Sequence, residues 1–128
     1  MAQSYIKRIL NAQVYDVARE TPLDAAPLLS ARLDNEAFLK REDLQPVFSF
    51  KCRGAYNKMV HLDVAARAAG VLAASAGIPE QGAAQGARKR GIKATIVWPV
   101  PTPPISGIRV RLLGPKGCMY VVSFVWAG

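Results

Sequence analysis

Cysteine and histidine are scarce in this chain, with two cysteines, Cys52 and Cys118, and one histidine, His61, among 128 residues. Two cysteines make no disulfide framework. With one histidine and no CxxC spacing, a single chain cannot assemble a four-ligand zinc site, so no metal is expected. Long apolar runs are absent as well: stretches such as Ala94 to Val97 and Val121 to Val122 fall far short of a bilayer span. No charged start leads into an apolar core and a small-residue cleavage site, so nothing marks the chain for export and a reduced, cytoplasmic setting is expected. Extremes of composition are also missing: hydrophobic residues make up 51% and charged residues 20%, which excludes disordered and fibrous classes. The length fits one domain.

Acid is the most informative absence. All nine carboxylates lie at or before Glu80, so residues 1 to 80 carry a net charge of +1 and residues 81 to 128 carry +7 with no acid at all. Folded surfaces usually mix both signs, so the character of the chain changes near residue 80. Arg88, Lys89, Arg90, Lys93, Arg109, Arg111 and Lys116 could attract phosphates. Aromatics are not interleaved with these cations and no base-reading motif stands near them, so nucleic acid is not the expected partner. Cations at 88–90 also suit a helix C-terminus.

Apolar periodicity predicts a helix around Tyr5, Ile6, Ile9 and Leu10, a short helix or turn from Val14 to Thr21 stopped by Pro22, and a helix over Ala25 to Leu33 ending at Asp34-Asn35. Ala37-Phe38-Leu39 reads as a short strand. Ser49 stands where a cap would, ahead of a helix from Lys51 to His61. Val71 to Ala74 reads as a strand, Ser75-Ala76-Gly77 as a tight turn, Glu80 to Arg90 as a helix stopped by Gly91, and Ala94 to Trp98 as a second strand. Strand, helix, strand in this order spells a βαβ unit, hence an α/β class with a partial open parallel sheet. Pro99 to Pro104 is expected to be an extended loop, and Ile108 to Leu113 and Met119 to Trp126 to be strands.

Two segments could carry chemistry. Lys51 opens a helix with Arg53 two residues on; a lysine near a helix N-terminus and another cation loses its proton more readily. A neutral amine can form a Schiff base with an aldehyde cofactor, although a solvated surface lysine has the same spacing. Ser75-Ala76-Gly77 joins a strand to a helix N-terminus, a geometry that offers backbone N–H groups to a carboxylate or phosphate and serves equally as an ordinary connection. His61 has no Ser or Cys partner at a recognisable spacing, so a solvated or capping role is expected. Cys52 beside Lys51 could be a low-pKa thiol, but as a free cysteine it is expected to pack.

The run from Leu39 through Lys40-Arg41-Glu42-Asp43-Leu44-Gln45-Pro46-Val47-Phe48-Ser49-Phe50-Lys51-Cys52-Arg53-Gly54-Ala55 to Tyr56 resembles the cofactor-lysine segment of the threonine dehydratases (threonine ammonia-lyases). These are pyridoxal-phosphate enzymes of the tryptophan synthase β type. Tyr15-Asp16-Val17-Ala18, Thr21-Pro22-Leu23, Ala74-Ser75-Ala76-Gly77 and Gly91-Ile92-Lys93-Ala94-Thr95-Ile96-Val97 are similar to the same family. The resemblance implies part of the N-terminal region of that fold: one domain over 1–128, family-like over 1–77, divergent over 78–105, with an unmatched tail over 106–128. It implies Lys51 as the catalytic residue and, with Phe50, the cofactor-binding one, pyridoxal 5′-phosphate as cofactor, and Ser75, Ala76, Gly77 and Gln81 as substrate-binding residues.

The implied reaction converts L-threonine to 2-oxobutanoate and ammonia, the entry to isoleucine, with L-serine as a second substrate. Where the family continues its turn with Asn-His-Ala-Gln-Gly, this chain has Ile78-Pro79-Glu80-Gln81-Gly82. Ile78 lacks the family's hydrogen bond to the cofactor ring oxygen, Pro79 removes an N–H, and Glu80 sets a negative charge where a carboxylate approaches. The family's phosphate loop, its pyridine-nitrogen contact and its regulatory region would lie beyond Gly128. An N-terminal fragment that self-associates or needs a completing chain is therefore expected. The alternative is a truncated, non-catalytic remnant that binds no cofactor and only attracts polyanions through its basic C-terminal part.

Overall fold

The computed structural model describes residues 4–74, 79–98, 104–114 and 119–122. The chain starts with helix α1 (Tyr5–Leu10) and a 3-10 turn (Val14–Asp16), followed by strand β1 (Leu23–Ala25), helix α2 (Pro27–Leu33) and strand β2 (Phe38–Lys40). A second 3-10 turn (Glu42–Leu44) leads to α3 (Lys51–Val60) and α4 (Val64–Ala69). Then β3 (Val71–Ala74), α5 (Pro79–Arg90), β4 (Ala94–Trp98), α6 (Pro104–Leu113) and β5 (Met119–Val122) alternate.

That alternation builds a three-stranded parallel sheet in the order β3-β4-β5, with Val71 opposite Ala94 and Thr95 opposite Met119. The expected open parallel α/β sheet is therefore present, as two successive βαβ units. β1 and β2 form a separate antiparallel pair, Leu23 opposite Lys40.

β4 lies in the middle of the sheet. Ala94, Ile96 and Trp98 are buried along it, and with Ala83, Ala84 and Ala87 of α5 and Val110 of α6 they form the main core. α5 is inserted between this sheet and α3, which explains its composition of alanine, glycine and glutamine. A Cβ on Gly82 would lie 3.1 Å from the Cys52 backbone and from the Lys51 carbonyl carbon, and one on Gly86 would lie 3.0 Å from the Met59 sulfur. The helix ends as its sequence predicts: Gly91 takes φ +64, and the Ile92 N–H reaches back to the Ala87 carbonyl at 2.9 Å.

Several expectations need correction. Ile108 to Leu113 is not a strand but the second half of α6. A parallel β4–β5 pair requires a crossover, and α6 supplies it, with Val110 buried and Leu113 packed on the core three residues on. The helix expected from Ala25 begins at Pro27, because Leu23–Ala25 pairs with β2 instead. The strand expected at 37–39 runs from Phe38 to Lys40. α4 was not anticipated; Asp63 caps it by accepting the Ala66 N–H at 2.7 Å. Met119–Val122 is a strand as expected, whereas its predicted continuation to Trp126, the turn 75–77 and most of the loop 99–104 lie outside the described residues.

Candidate active site

α3 and α5 run in the same direction. Gly82, near the start of α5, lies against Lys51 and Cys52 at the start of α3, and Gly86 lies against Tyr56 and Met59 farther along both. α5 follows β3, so its first turn stands at the carboxyl edge of the parallel sheet. Because the two helices are parallel, the first turn of α3, with Lys51, stands there too. In open α/β sheets this is the edge where ligands bind.

The approach to α3 is shaped by its own sequence. Phe48 adopts φ +55, an unfavourable conformation for a residue with a Cβ, and its ring carries the Arg109 guanidinium of α6 at 4.9 Å. Buried Ser49 does not occupy the cap position itself, which falls to Phe50, but its Oγ accepts the Lys51 N–H at 3.3 Å. Phe50 is 61% exposed, and Lys51 is half-buried. Among the described residues no carboxylate forms an ion pair with the Lys51 ammonium.

Behind Lys51 lies a polar clamp. The Glu42 carboxylate accepts from Arg53 Nε at 2.9 Å and Nη2 at 3.0 Å, from Thr21 Oγ1 at 2.8 Å and from Gln45 Nε2 at 3.2 Å. The Arg53 guanidinium is the main reason that the Glu42 pKa falls to about 2. Fully buried Gln45 holds the Arg19 backbone at both its N–H and its C=O, each at 2.8 Å. One turn along α3, the Tyr56 hydroxyl donates to Asp16 at 2.6 Å, and burial, followed by this contact, pushes its pKa up. Sequence reading missed this clamp as a unit. Its signal was present in the Glu42–Gln45–Arg53 spacing of the family-like run, but only the fold brings Thr21 and Arg19 to it.

The α5 side is different in kind. Gln81 is buried with its Oε1 unpartnered, and Glu80 is 0% exposed with neither carboxylate oxygen hydrogen-bonded. Ser75, Ala76, Gly77 and Ile78 lie outside the described residues, so of the expected site residues the structure brings Lys51, Phe50 and Gln81 to one end of the molecule. Cys52 is fully buried, and burial pushes its thiol pKa up, which favours packing over reactivity. His61 caps the end of α3, with Nδ1 2.7 Å from the Asn57 carbonyl. Among the described residues no group of three His, Cys, Asp or Glu side chains could hold a metal ion, and no helix is long and apolar enough to cross a membrane.

A half-buried lysine at the carboxyl edge of a parallel sheet, with no described counter-ion, is compatible with the class of proteins that hold an aldehyde cofactor through an amine. Comparison with known proteins agrees with that class. The family model described as pyridoxal-phosphate dependent enzyme matches residues 14–121, and the chain belongs to this family. It is 56% identical over 116 residues to the biosynthetic L-threonine dehydratase of Burkholderia multivorans, covering 91% of this chain and 23% of that protein. It is 53% identical over 123 residues to the chloroplastic biosynthetic threonine dehydratase of Arabidopsis thaliana, covering 96% and 21%. The solved threonine deaminase isoform 2 of Solanum lycopersicum superposes with a TM-score of 0.81 at 46% identity, over 92% of this chain and 34% of that one. The fold is thus that of the tryptophan synthase β type expected from the sequence. The chain spans about a fifth to a quarter of the curated relatives it matches.

On the α3 side, the start of the helix brings to this edge the amine that such a cofactor requires, next in sequence to the exposed Phe50.

Proposed function

We propose that this chain supplies the cofactor lysine of a threonine dehydratase-type lyase that converts L-threonine to 2-oxobutanoate and ammonia. The observation that carries this reading is the position of Lys51: it opens α3 at the carboxyl edge of the parallel sheet, in a chain 56% identical to a threonine dehydratase. Lys51 Nζ would hold pyridoxal phosphate, and the same amine would serve as the base for the proton at the substrate α-carbon. Bound pyridoxal phosphate supplies an electron sink for that carbon. Phe50 flanks the amine. Glu42 and Arg53 fix the first turn of α3, so that Lys51 starts from one position. Gln81, with Ser75, Ala76 and Gly77, receives the substrate carboxylate.

A completing chain or a second copy covers the site, a reading supported by the exposed apolar side chains of α1 and α2. Cysteine usage supports a cytoplasmic setting. A second reading, a form that holds no cofactor, is favoured by Glu80, whose buried carboxylate has no hydrogen-bond partner.

The test is the visible absorption of the purified chain with added pyridoxal phosphate, followed by borohydride reduction and peptide mapping. A band near the visible edge that is trapped on Lys51, and is lost in Lys51→Ala, is the expected result. Label spread over many lysines, or a band unchanged in Lys51→Ala, would overturn the assignment.

A further inference from the structure

We propose that the cleft between the segment 16–19 and the second half of α5 binds an organic phosphate monoester, at a site separate from Lys51. The cleft has a volume of about 590 Å³, within the range of small-molecule sites. Arg19 lines it from the first segment, and Arg88 and Lys89 line it from the helix. Lys89 lies seven residues beyond Gly82, the residue that packs on Lys51 and Cys52. About 10 Å of helix therefore separates the cationic end of the cleft from the lysine edge.

Among the described residues, none of the three cations is neutralised by an ion pair. Fully buried Gln45 fixes the Arg19 main chain at both its N–H and its C=O, each at 2.8 Å. Arg53 Nη2 donates to the same carbonyl at 3.1 Å, so the Arg19 side chain starts from a fixed backbone. Arg88 is steadied by one bond, from Nη1 to the Leu112 carbonyl of α6 at 3.0 Å. Asp16 is the one carboxylate lining the cleft, and it accepts the Tyr56 hydroxyl at 2.6 Å. Three positive charges against one negative leave a net of +2, which a phosphate-monoester dianion matches. A phosphoryl group accepts paired bonds from guanidinium groups and a point contact from an ammonium. Val17, Ala18 and Pro46 add apolar surface to the lining, which suits a carbon body carried by that phosphate.

The experiment titrates the native chain calorimetrically with phenyl phosphate at a mildly alkaline pH, where the phosphoryl group is a dianion. Inorganic phosphate, which lacks a carbon body, and succinate, which replaces phosphoryl by carboxylate, are titrated alongside. Phenyl phosphate is expected to bind, and the other two to bind about five-fold more weakly. Arg19→Gln and Lys89→Gln are each expected to weaken phenyl phosphate about five-fold, the size of one exposed charge contact. Arg32→Gln on α2 removes the same charge away from the cleft, and Lys51→Ala removes the amine at the sheet edge; both stay near native. Arg19→Gln keeps the native thermal midpoint, because the Gln45 bonds are made by the main chain.

No saturable binding of phenyl phosphate, or equal affinity for all three anions, would overturn the proposal. An equal loss in Arg32→Gln would assign the binding to net charge alone and overturn it as well. Loss of binding in Lys51→Ala would move the anion to the sheet edge, against a separate site. Binding kept in Lys51→Ala and lost in Arg19→Gln and Lys89→Gln sustains the cleft, whichever reaction Lys51 serves.

Discussion

At Glu42 four donor groups converge on one side chain, and its pKa of about 2 links the clamp to pH. A carboxylate whose folded pKa lies below its ordinary 4.5 contributes stability that is fully present above pH 4.5. That contribution is lost as pH falls from about 4.5 toward about 2. The shift corresponds to about 3 kcal/mol at neutral pH. Glu42→Gln should therefore cost about 2–3 kcal/mol at pH 7 in urea unfolding, and the gap to the native chain should narrow steadily between pH 4.5 and pH 3; a gap independent of pH would contradict this. Family membership was legible because a run of consecutive residues around Lys51 carries the family pattern. The clamp was not, because Arg19 and Thr21 reach Glu42 and Gln45 across more than twenty residues of chain, a distance that spacing rules do not span.

Among the elements, the pairing of α3 with α5 depends on two glycines that meet different neighbours. A methyl group on Gly82 would run into the backbone of Cys52 and Lys51, which can yield only if the helix moves, whereas one on Gly86 would meet the flexible Met59 sulfur. Gly82→Ala should destabilise by about 1–3 kcal/mol and displace the lysine, and Gly86→Ala by less; denaturant midpoints measured on both variants decide it, and equal costs would refute the ordering. The βαβ unit was legible from its apolar runs and Gly91. α6 was not, because Ile108, Val110 and Leu112 alternate with Arg109 and Arg111 as a strand would, and the true core contacts at Val110 and Leu113 show only when the helix is in place. β1 and β2 are three residues each, too short to display a period.

On the scale of the whole molecule, much apolar surface is left open. Leu28 is 88% exposed and Leu72 71%, and the apolar residues of α1 also face outward. Scattered exposed leucines are ordinary, but this many mark surfaces that another chain could cover. The purified chain should therefore behave as a species heavier than 13.8 kDa in light scattering, and added non-ionic detergent should reduce that mass; a sharp 13.8 kDa peak at all concentrations would count against it.

The parallel placement of α3 and α5 has a cost of its own. Two helices lying side by side with like ends together repel through their dipoles, whereas antiparallel neighbours attract. Glycine-mediated contact holds α3 and α5 against that repulsion, so the first turns at the sheet edge are electrostatically frustrated even in the folded chain. Dissolved salt, which weakens the Glu42–Arg53 attraction, relaxes this opposition between the helices. Ionic strength thus pulls in opposite directions on the two supports of the same lysine.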